Sequence, residues 1–386
     1  MLTTNKKYKV FVTGGHLTPA MAVIEELTKE TKRWEIVFIG RIHQLEGDQG
    51  LSEEYRIIKK LGLKFLPLTT GRFTRVFSFE TLISLSKIPL GLVTAFRYCL
   101  EEKPGIIISF GGYLALPVVV AGAILGIPTI THEQTRAIGL ANRVISFFAR
   151  RICVSYREMV RQFPPHKTVF TGLPIRRQIF DPPREISLTI LLNYPLLYIM
   201  GGTTGASSLN ELVYPGLAGL TTKYMVVHQT GRLSYERALS FRQKLSQAQQ
   251  EHYLPVPYLD TLEHAWVLSR AALVVGRSGA NSVGEIAATG KVAVFIPLPW
   301  SAGGEQQKNA RYLVDRGSAV MLNQQKLDPL ALVATIEETF SHLSQYQKRA
   351  EEIAREFPRD GARLFVKEII AVVTKQKPSF KPSLPT

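Results

Sequence analysis

Apolar residues in this chain come in short blocks that end in glycine, and each block is followed by a stretch with helical periodicity. The blocks KVFVT, WEIVFIG, IIISF, PTITHE, RICVS and TVFTG fill the first half, with helices predicted to begin near Pro19, Phe79, Leu114, Ala137 and Tyr156. Continuous apolar runs of this length fit strands of a parallel sheet buried on both faces, and the β-α alternation predicts a doubly wound α/β domain. Residues 173 to 190 carry three prolines and no clear period, so they are the expected linker. The pattern then restarts with PLLYIMGG, YMVVHQTG, LPVPYLD, AALVVG and VAVFIPLP. The fold expected is therefore α/β with two Rossmann-like, doubly wound domains, residues 1–172 and 191–373, facing across a cleft. The last helix is free to pack back on the first domain.

The run from Ile106 to Thr131 has no charged residue and the length of a membrane span. Gly111, Gly112 and the GIP at 126–128 interrupt it, and the pieces read as strand, glycine turn, helix and strand. At the N-terminus the apolar run is too short for a signal-peptide core, which points to a cytoplasmic protein. Cys99 and Cys153 are too few and too far apart for a disulfide framework or a zinc site and are expected as core thiols.

A net charge of +16 adds the question of a partner. Residues 1–172 hold 23 Lys and Arg against 13 Asp and Glu, so the basic excess leans to the first half. No helix-turn-helix, zinc or aromatic-basic repeat accompanies it, which argues against nucleic acid. Residues 71–100 place Arg72, Arg75, Lys87 and Arg97 among Phe73, Phe77, Phe79 and several leucines. That mixture fits either docking on an anionic membrane surface or a core-facing helix with a solvated basic face. The tail KQKPSFKPSLPT reads as disordered.

Four glycine turns carry the candidate chemistry: VTGGH (12–16), SFGGY (109–113), MGGTTGASS (200–208) and GRSGANS (276–282). Each follows an apolar block and precedes a helix, where glycine admits close backbone approach and the helix start offers amides to phosphate. None matches the dinucleotide fingerprint or the P-loop.

The segments GGHLTPAMAVIEEL, SFGGYLALP, GIPTITHEQ with IGLANRV, MGGTTGASSLNE, HQTGR, GRSGANSVGEIAATGK and GEQQKNARYLV, in this order, resemble the MurG family of GT-B glycosyltransferases. The resemblance implies inverting, metal-independent transfer of GlcNAc from UDP-GlcNAc to lipid I, at the cytoplasmic face of the membrane. UDP-GlcNAc is then a substrate and no cofactor is required. It further implies that Thr13, Gly14 and Gly15 lie near the reaction centre and that Arg176 and Thr203 contact phosphate. Leu259 would meet uracil through its backbone. Ala280, Asn281, Ser282, Val283, Gly284 and Glu285 would hold the nucleotide, Glu285 at the ribose hydroxyls, while Gln306 and Asn309 would read the sugar. Gly111, Gly112, His132, Glu133, Gln134 and Thr135 fall on the acceptor side. His16 is the candidate general base because it titrates nearest neutrality.

Three departures stand out. The first glycine turn is shorter than the family's GGGTGGH, Thr135 replaces an asparagine, and Glu305 replaces a Gln or His. Other readings of the same residues are a transferase with another lipid acceptor and a UDP-GlcNAc 2-epimerase.

Overall fold

A computed structural model of the chain describes residues 7–30, 33–43, 50–71, 79–201 and 206–374, without the side chains of 79–86 and 302. Arg72, Phe73, Arg75, Phe77, Thr203 and the 375–386 tail lie outside the described residues. The chain forms two compact units. One comprises residues 1–134, 138–176 and 360–386, and the other comprises 135–137 and 177–359.

The first unit is built on β1 (Tyr8–Thr13), β2 (Trp34–Gly40), β3 (Lys64–Pro67), β4 (Ile106–Ser109), β5 (Thr129–Glu133), β6 (Arg151–Val154) and β7 (Thr168–Phe170). They form one sheet in the order β3-β2-β1-β4-β5-β6-β7, and every pairing is parallel. In the second unit β8 (Leu196–Met200), β9 (Met225–Gln229), β10 (Tyr253–Val256), β11 (Ala271–Gly276), β12 (Val292–Phe295) and β13 (Ala319–Met321) follow the order β10-β9-β8-β11-β12-β13. In both sheets the chain starts in the middle, winds outward and then returns to the other side of its first strand. The reversal leaves a crevice outside the strand ends, between β1 and β4 and between β8 and β11.

Alternating residues of the central strands explain the unbroken apolar runs. Val10 and Val12 face a layer with Ile24, Phe38 and Phe365, whereas Phe11 faces Val37, Leu114 and Val118. Each fully enclosed side chain of this size contributes about 1.5–3 kcal/mol, so both helix layers are fixed to the sheet.

The 106–131 run forms β4, the helix Gly112–Ile124 and β5, and no described helix is long and apolar enough to cross a membrane. The final helix, Gly361–Thr374, packs on the helix Leu17–Thr28 of the first unit. Arg151 pairs with its Glu368 at 2.8 Å. Phe365 sits 5.7 Å from the Phe110 ring and 5.5 Å from that of His132.

Some expected elements change. The start near Tyr156 is only a 3₁₀ stretch, Arg157–Gln162, because prolines 164 and 165 follow at once and stop it from continuing as an α-helix. Within residues 173–190, Arg177–Phe180 make a helical turn that packs on the helix Thr261–Arg270.

Candidate functional site

The second unit's crevice is formed by the ends of β8 and β11. Gly276 closes β11 so tightly against β8 that a Cβ there would stand 2.5 Å from the Met200 carbonyl oxygen. Arg277 follows and turns inward with 7% exposure, its guanidinium donating to the Ile296 carbonyl and to Ser208 Oγ, each at 2.7 Å. Burial lowers its pKa from the arginine range. Arg277 is thus an enclosed cation whose guanidinium is held by a carbonyl and a hydroxyl.

Gly279 then starts the helix Ala280–Ala288 with no side chain capping the first amides, and nothing lies within 4 Å of where its Cβ would be. Bare starts recur where glycine turns feed helices at His16 and Ala206, whereas at Gly111 the first amide is taken by Asn142 Oδ1. Ser52, Ser246, Asp260 and Asp328 by contrast cap other helices of the fold in the ordinary way. An uncapped start leaves backbone N–H groups and the positive dipole end for an anion. Asn281 and Ser282 are half-buried on this first turn, while Val283 and Gly284 are buried. Ser278 Oγ, Asn281 Oδ1 and Asn309 Oδ1 are enclosed without a protein partner.

Glu285 lies on the second turn and is 6% exposed. Its Oε2 accepts from His264 Nε2 at 3.1 Å, and His264 Nδ1 lies 2.9 Å from the Tyr198 hydroxyl. That hydroxyl is 3.2 Å from Gln229 Oε1. Leu259 is buried immediately ahead of Asp260, the cap of the helix that carries His264. Gln306 Oε1 accepts from the Leu298 amide at 3.0 Å, and Asn309 Nδ2 donates to the Ser278 carbonyl at 3.3 Å. Glu305 begins that helix; burial raises its pKa and a hydrogen bond from Asn309 opposes the rise.

The first unit's crevice is closed by backbone. Gly15 has φ 126°, and a Cβ there would meet the Gly111 carbonyl oxygen at 2.7 Å. Glu54 lies beneath this turn. Its Oε1 accepts the Arg41 amide at 2.5 Å, and the Gly15 amide donates to the same carboxylate. Burial raises the Glu54 pKa, and these donors hold it back. A Cβ on Gly14 would stand 2.7 Å from Glu54 Oε2, so the acid also explains the glycine. Arg41 donates to the Tyr113 hydroxyl at 2.6 Å. Thr13 is fully buried at the end of β1, with its hydroxyl unpartnered. His16 is half-buried, and burial lowers its pKa below the ordinary range. Arg176 is half-buried at the end of the first unit.

The HEQT stretch does internal work in the structure. His132 is fully enclosed and donates through Nε2 to the Gly172 carbonyl at 2.9 Å, with burial lowering its pKa to about 4. Glu133 accepts from Asn142 Nδ2 at 2.6 Å, and Asn142 Oδ1 accepts the Gly112 amide at 3.0 Å. Gln134 donates to the Phe110 carbonyl at 3.2 Å, and Thr135 to the Ala137 carbonyl at 2.7 Å. His132 and Gln134, both 0% exposed, therefore hold the end of β5 to the neighbouring turns from within.

A model of the glycosyltransferase family 28 N-terminal domain matches residues 12–154, and one of its C-terminal domain matches residues 196–365. The UDP-N-acetylglucosamine–N-acetylmuramyl-(pentapeptide) pyrophosphoryl-undecaprenol N-acetylglucosamine transferase of Treponema denticola is 35% identical over 327 residues, covering 82% of this chain and 83% of that one. Its counterpart from Halothermothrix orenii is 33% identical and covers 89% and 92%. The chain belongs to the MurG family. Among solved structures, Acinetobacter baumannii MurG superposes with a TM-score of 0.68 over 96% of this chain and all of that one, at 24% identity. A UDP-GlcNAc 2-epimerase from Neisseria meningitidis reaches 0.62 at 12% identity, which reflects the shared fold alone.

Seen as a MurG-family protein, the chain contains site-forming residues that its motifs do not announce. Glu54, Asn142, Tyr198 and His264 stand outside the glycine turns and reach them only through the fold. Asn142 lies in the IGLANRV block and its partners Glu133 and Gly112 in two other motifs, but the link between them is made only by the fold. Among the described residues no group of three or more His, Cys, Asp or Glu side chains is placed to hold a metal ion.

Proposed function

We propose that this protein transfers GlcNAc from UDP-GlcNAc to undecaprenyl-pyrophosphoryl-MurNAc-pentapeptide, giving the disaccharide lipid, by a single inverting displacement that needs no metal. The observation that carries the donor assignment is the bare helix start at Gly279 with the enclosed Glu285 one turn further on. The amides of Ala280, Asn281 and Ser282 face the diphosphate, and Glu285 accepts from the ribose hydroxyls. The Leu259 backbone meets the base, and Gln306 and Asn309 read the sugar. As the anomeric bond breaks, charge grows on the β-phosphate, where fixed amides and the enclosed Arg277 stabilise it without reorganising. Arg176 and Thr203 are assigned to the same phosphates.

On the first unit, His16 takes the proton from the acceptor hydroxyl. Burial keeps its imidazole neutral at pH 7, so it is able to accept. Thr13, Gly14, Gly15, Gly111 and Gly112 shape the acceptor-side turns, with Glu133 and Thr135 behind them.

The enzyme is assigned to the cytoplasmic face of the membrane as a peripheral protein. Leu140, Val144, Phe147 and Phe148 are exposed along the helix Leu140–Phe148, with Phe147 at 85%. Beside them is a pocket of about 560 Å³ lined by Arg143, Phe163, His166 and Lys167. Lys87 and the exposed Leu90 and Val93 continue this mixture on the helix Phe79–Glu102. Apolar side chains flanked by cations suit an anionic bilayer surface.

The decisive test is transfer of labelled sugar to a short-chain lipid I analogue with chelator present and UDP-glucose and UDP-galactose as parallel donors. Product from UDP-GlcNAc alone is expected. Donor hydrolysis or epimerisation without lipid product would overturn the assignment. Sedimentation with anionic liposomes should weaken with salt; binding that ignores salt would remove the electrostatic part.

A further inference from the structure

Glu285 is held by a relay within the second unit. Its side chain is 7% exposed and that of His264 is 12% exposed. An ionised carboxylate only accepts, so His264 Nε2 carries the proton toward Oε2. The other ring nitrogen faces Tyr198, whose single hydroxyl proton has two acceptors within reach, His264 Nδ1 at 2.9 Å and Gln229 Oε1 at 3.2 Å. With a neutral imidazole the hydroxyl donates to Nδ1. With an imidazolium, Nδ1–H donates to Tyr198, and the hydroxyl donates to Gln229. Both states leave Nε2–H on Glu285, so the relay holds the carboxylate in one orientation whatever the protonation of the ring. Among the described residues Oε1 of Glu285 has no hydrogen-bond partner.

His264 is itself rigidly placed. It sits on the first turn of the helix Thr261–Arg270, whose start is closed by the reciprocal Asp260–Glu263 capping box. Glu263 also accepts from Ser187 at 3.1 Å, and Trp266 donates to the Arg184 carbonyl at 3.2 Å. The same cap fixes the backbone beside Leu259. One helix start therefore sets both the proposed base contact and the ribose carboxylate.

We infer that His264 is a positioning residue, which with Tyr198 and Gln229 occupies Oε2 of Glu285 and so presents Oε1 to a ribose hydroxyl, making the site selective for a ribonucleoside diphosphate over its deoxy analogue. The inference rests on the assignment of Glu285 to ribose.

The test compares calorimetric Kd values for UDP and 2′,3′-dideoxy-UDP, together with donor KM and kcat, in the intact enzyme. His264→Ala should weaken UDP by about fivefold to tenfold, a loss of one charge-assisted hydrogen bond, and narrow the UDP preference while kcat changes little. His264→Gln, whose amide both donates and accepts, should restore most of the preference. Tyr198→Phe should lie between wild type and His264→Ala. The double variant His264→Ala/Glu285→Ala should be no worse than Glu285→Ala alone. If Glu285→Ala removes the preference and His264→Ala leaves it intact, the relay is overturned and the ribose assignment stands. If Glu285→Ala also leaves it intact, both fall. Should His264→Ala fail to fold, Tyr198→Phe decides: a preference equal to wild type overturns the relay.

Discussion

The two crevices share a topology and use their buried acids in opposite ways. Beneath the first unit's turn, Glu54 spends its oxygens on the protein's own Arg41 and Gly15 amides, and Gly15 rests against the Gly111 backbone. In the second unit, Glu285 is held at one oxygen by His264, and the space beside Gly279 is open. The first turn is thus shaped by an acid that serves the loop, while the second has an acid available to a ligand. A short glycine turn and a buried carboxylate do not by themselves identify a binding site; what occupies the carboxylate does.

This contrast is broken most severely at Gly15. Alanine there needs φ 126° and a Cβ 2.7 Å from a carbonyl oxygen, so Gly15→Ala should cost about 2–4 kcal/mol in urea unfolding. Displacing the neighbouring His16 by about 1 Å should lower kcat/KM by roughly 100-fold. Glu285→Ala comes next: donor KM should rise about 10–100-fold with a stable fold and a smaller change in kcat, measured with saturating acceptor. An unchanged KM would place the ribose elsewhere.

Acid separates the units less sharply, because each holds an enclosed neutral histidine. Burial lowers His132 of the first unit to about 4 and His228 of the second to about 3. The folded pKa lies below the unfolded value of about 6.5, so each unit's stability is full above that pH and is lost as pH falls toward the folded value. At pH 5 the loss should be about 2 kcal/mol for each, read from urea midpoints at pH 8 and pH 5. Flat stability across that window would show that the histidines are solvated. A smaller effect is expected for Glu54→Gln, which keeps one acceptor oxygen: about 1 kcal/mol of stability and a modest fall in acceptor kcat/KM, with donor KM unchanged.

How much of this was legible in the chain depends on range. β2 and β11 were readable to their ends because long apolar runs stop at Gly40 and Gly276. β3, KFLP, and β13, AVM, were not, since each is a short edge strand without the closing glycine that marked the equally short β7 as TVFTG. The helix Glu53–Lys60 was missed as well, although Ser52 caps it, because its strongly polar sequence offers few apolar positions to mark a face. The donor-side motif was visible as a glycine turn with Glu285 behind it. Its support was hidden: Tyr198 and His264 are 66 positions apart, and His264 and Glu285 are 21 apart. A tyrosine in an apolar block and a histidine on a helix show no link until the helix Thr261–Arg270 packs on β8 and β11. For HEQT the hidden part is likewise its partners: the side chains tie β5 to Gly172, Phe110 and Asn142, bonds that no local pattern shows.

The finest test of the comparison is Gly279→Ala. Gly279 has φ −63° and ψ 151°, which alanine adopts freely, and its Cβ would meet nothing within 4 Å. Restricting the unfolded chain should stabilise by about 0.5 kcal/mol, while alanine is a poorer helix cap than glycine by a similar amount. The two nearly cancel, so stability should stay within about 0.5 kcal/mol of wild type. Donor binding should not be spared: if the diphosphate approaches the bare amides there, one methyl group in its path should raise donor KM by roughly tenfold. Unchanged stability with a raised KM would mean that the open space beside Gly279 is reserved for the ligand. A loss of stability comparable to that of Gly15→Ala would mean that both turns are closed by their own backbone, and the contrast between the crevices would fail.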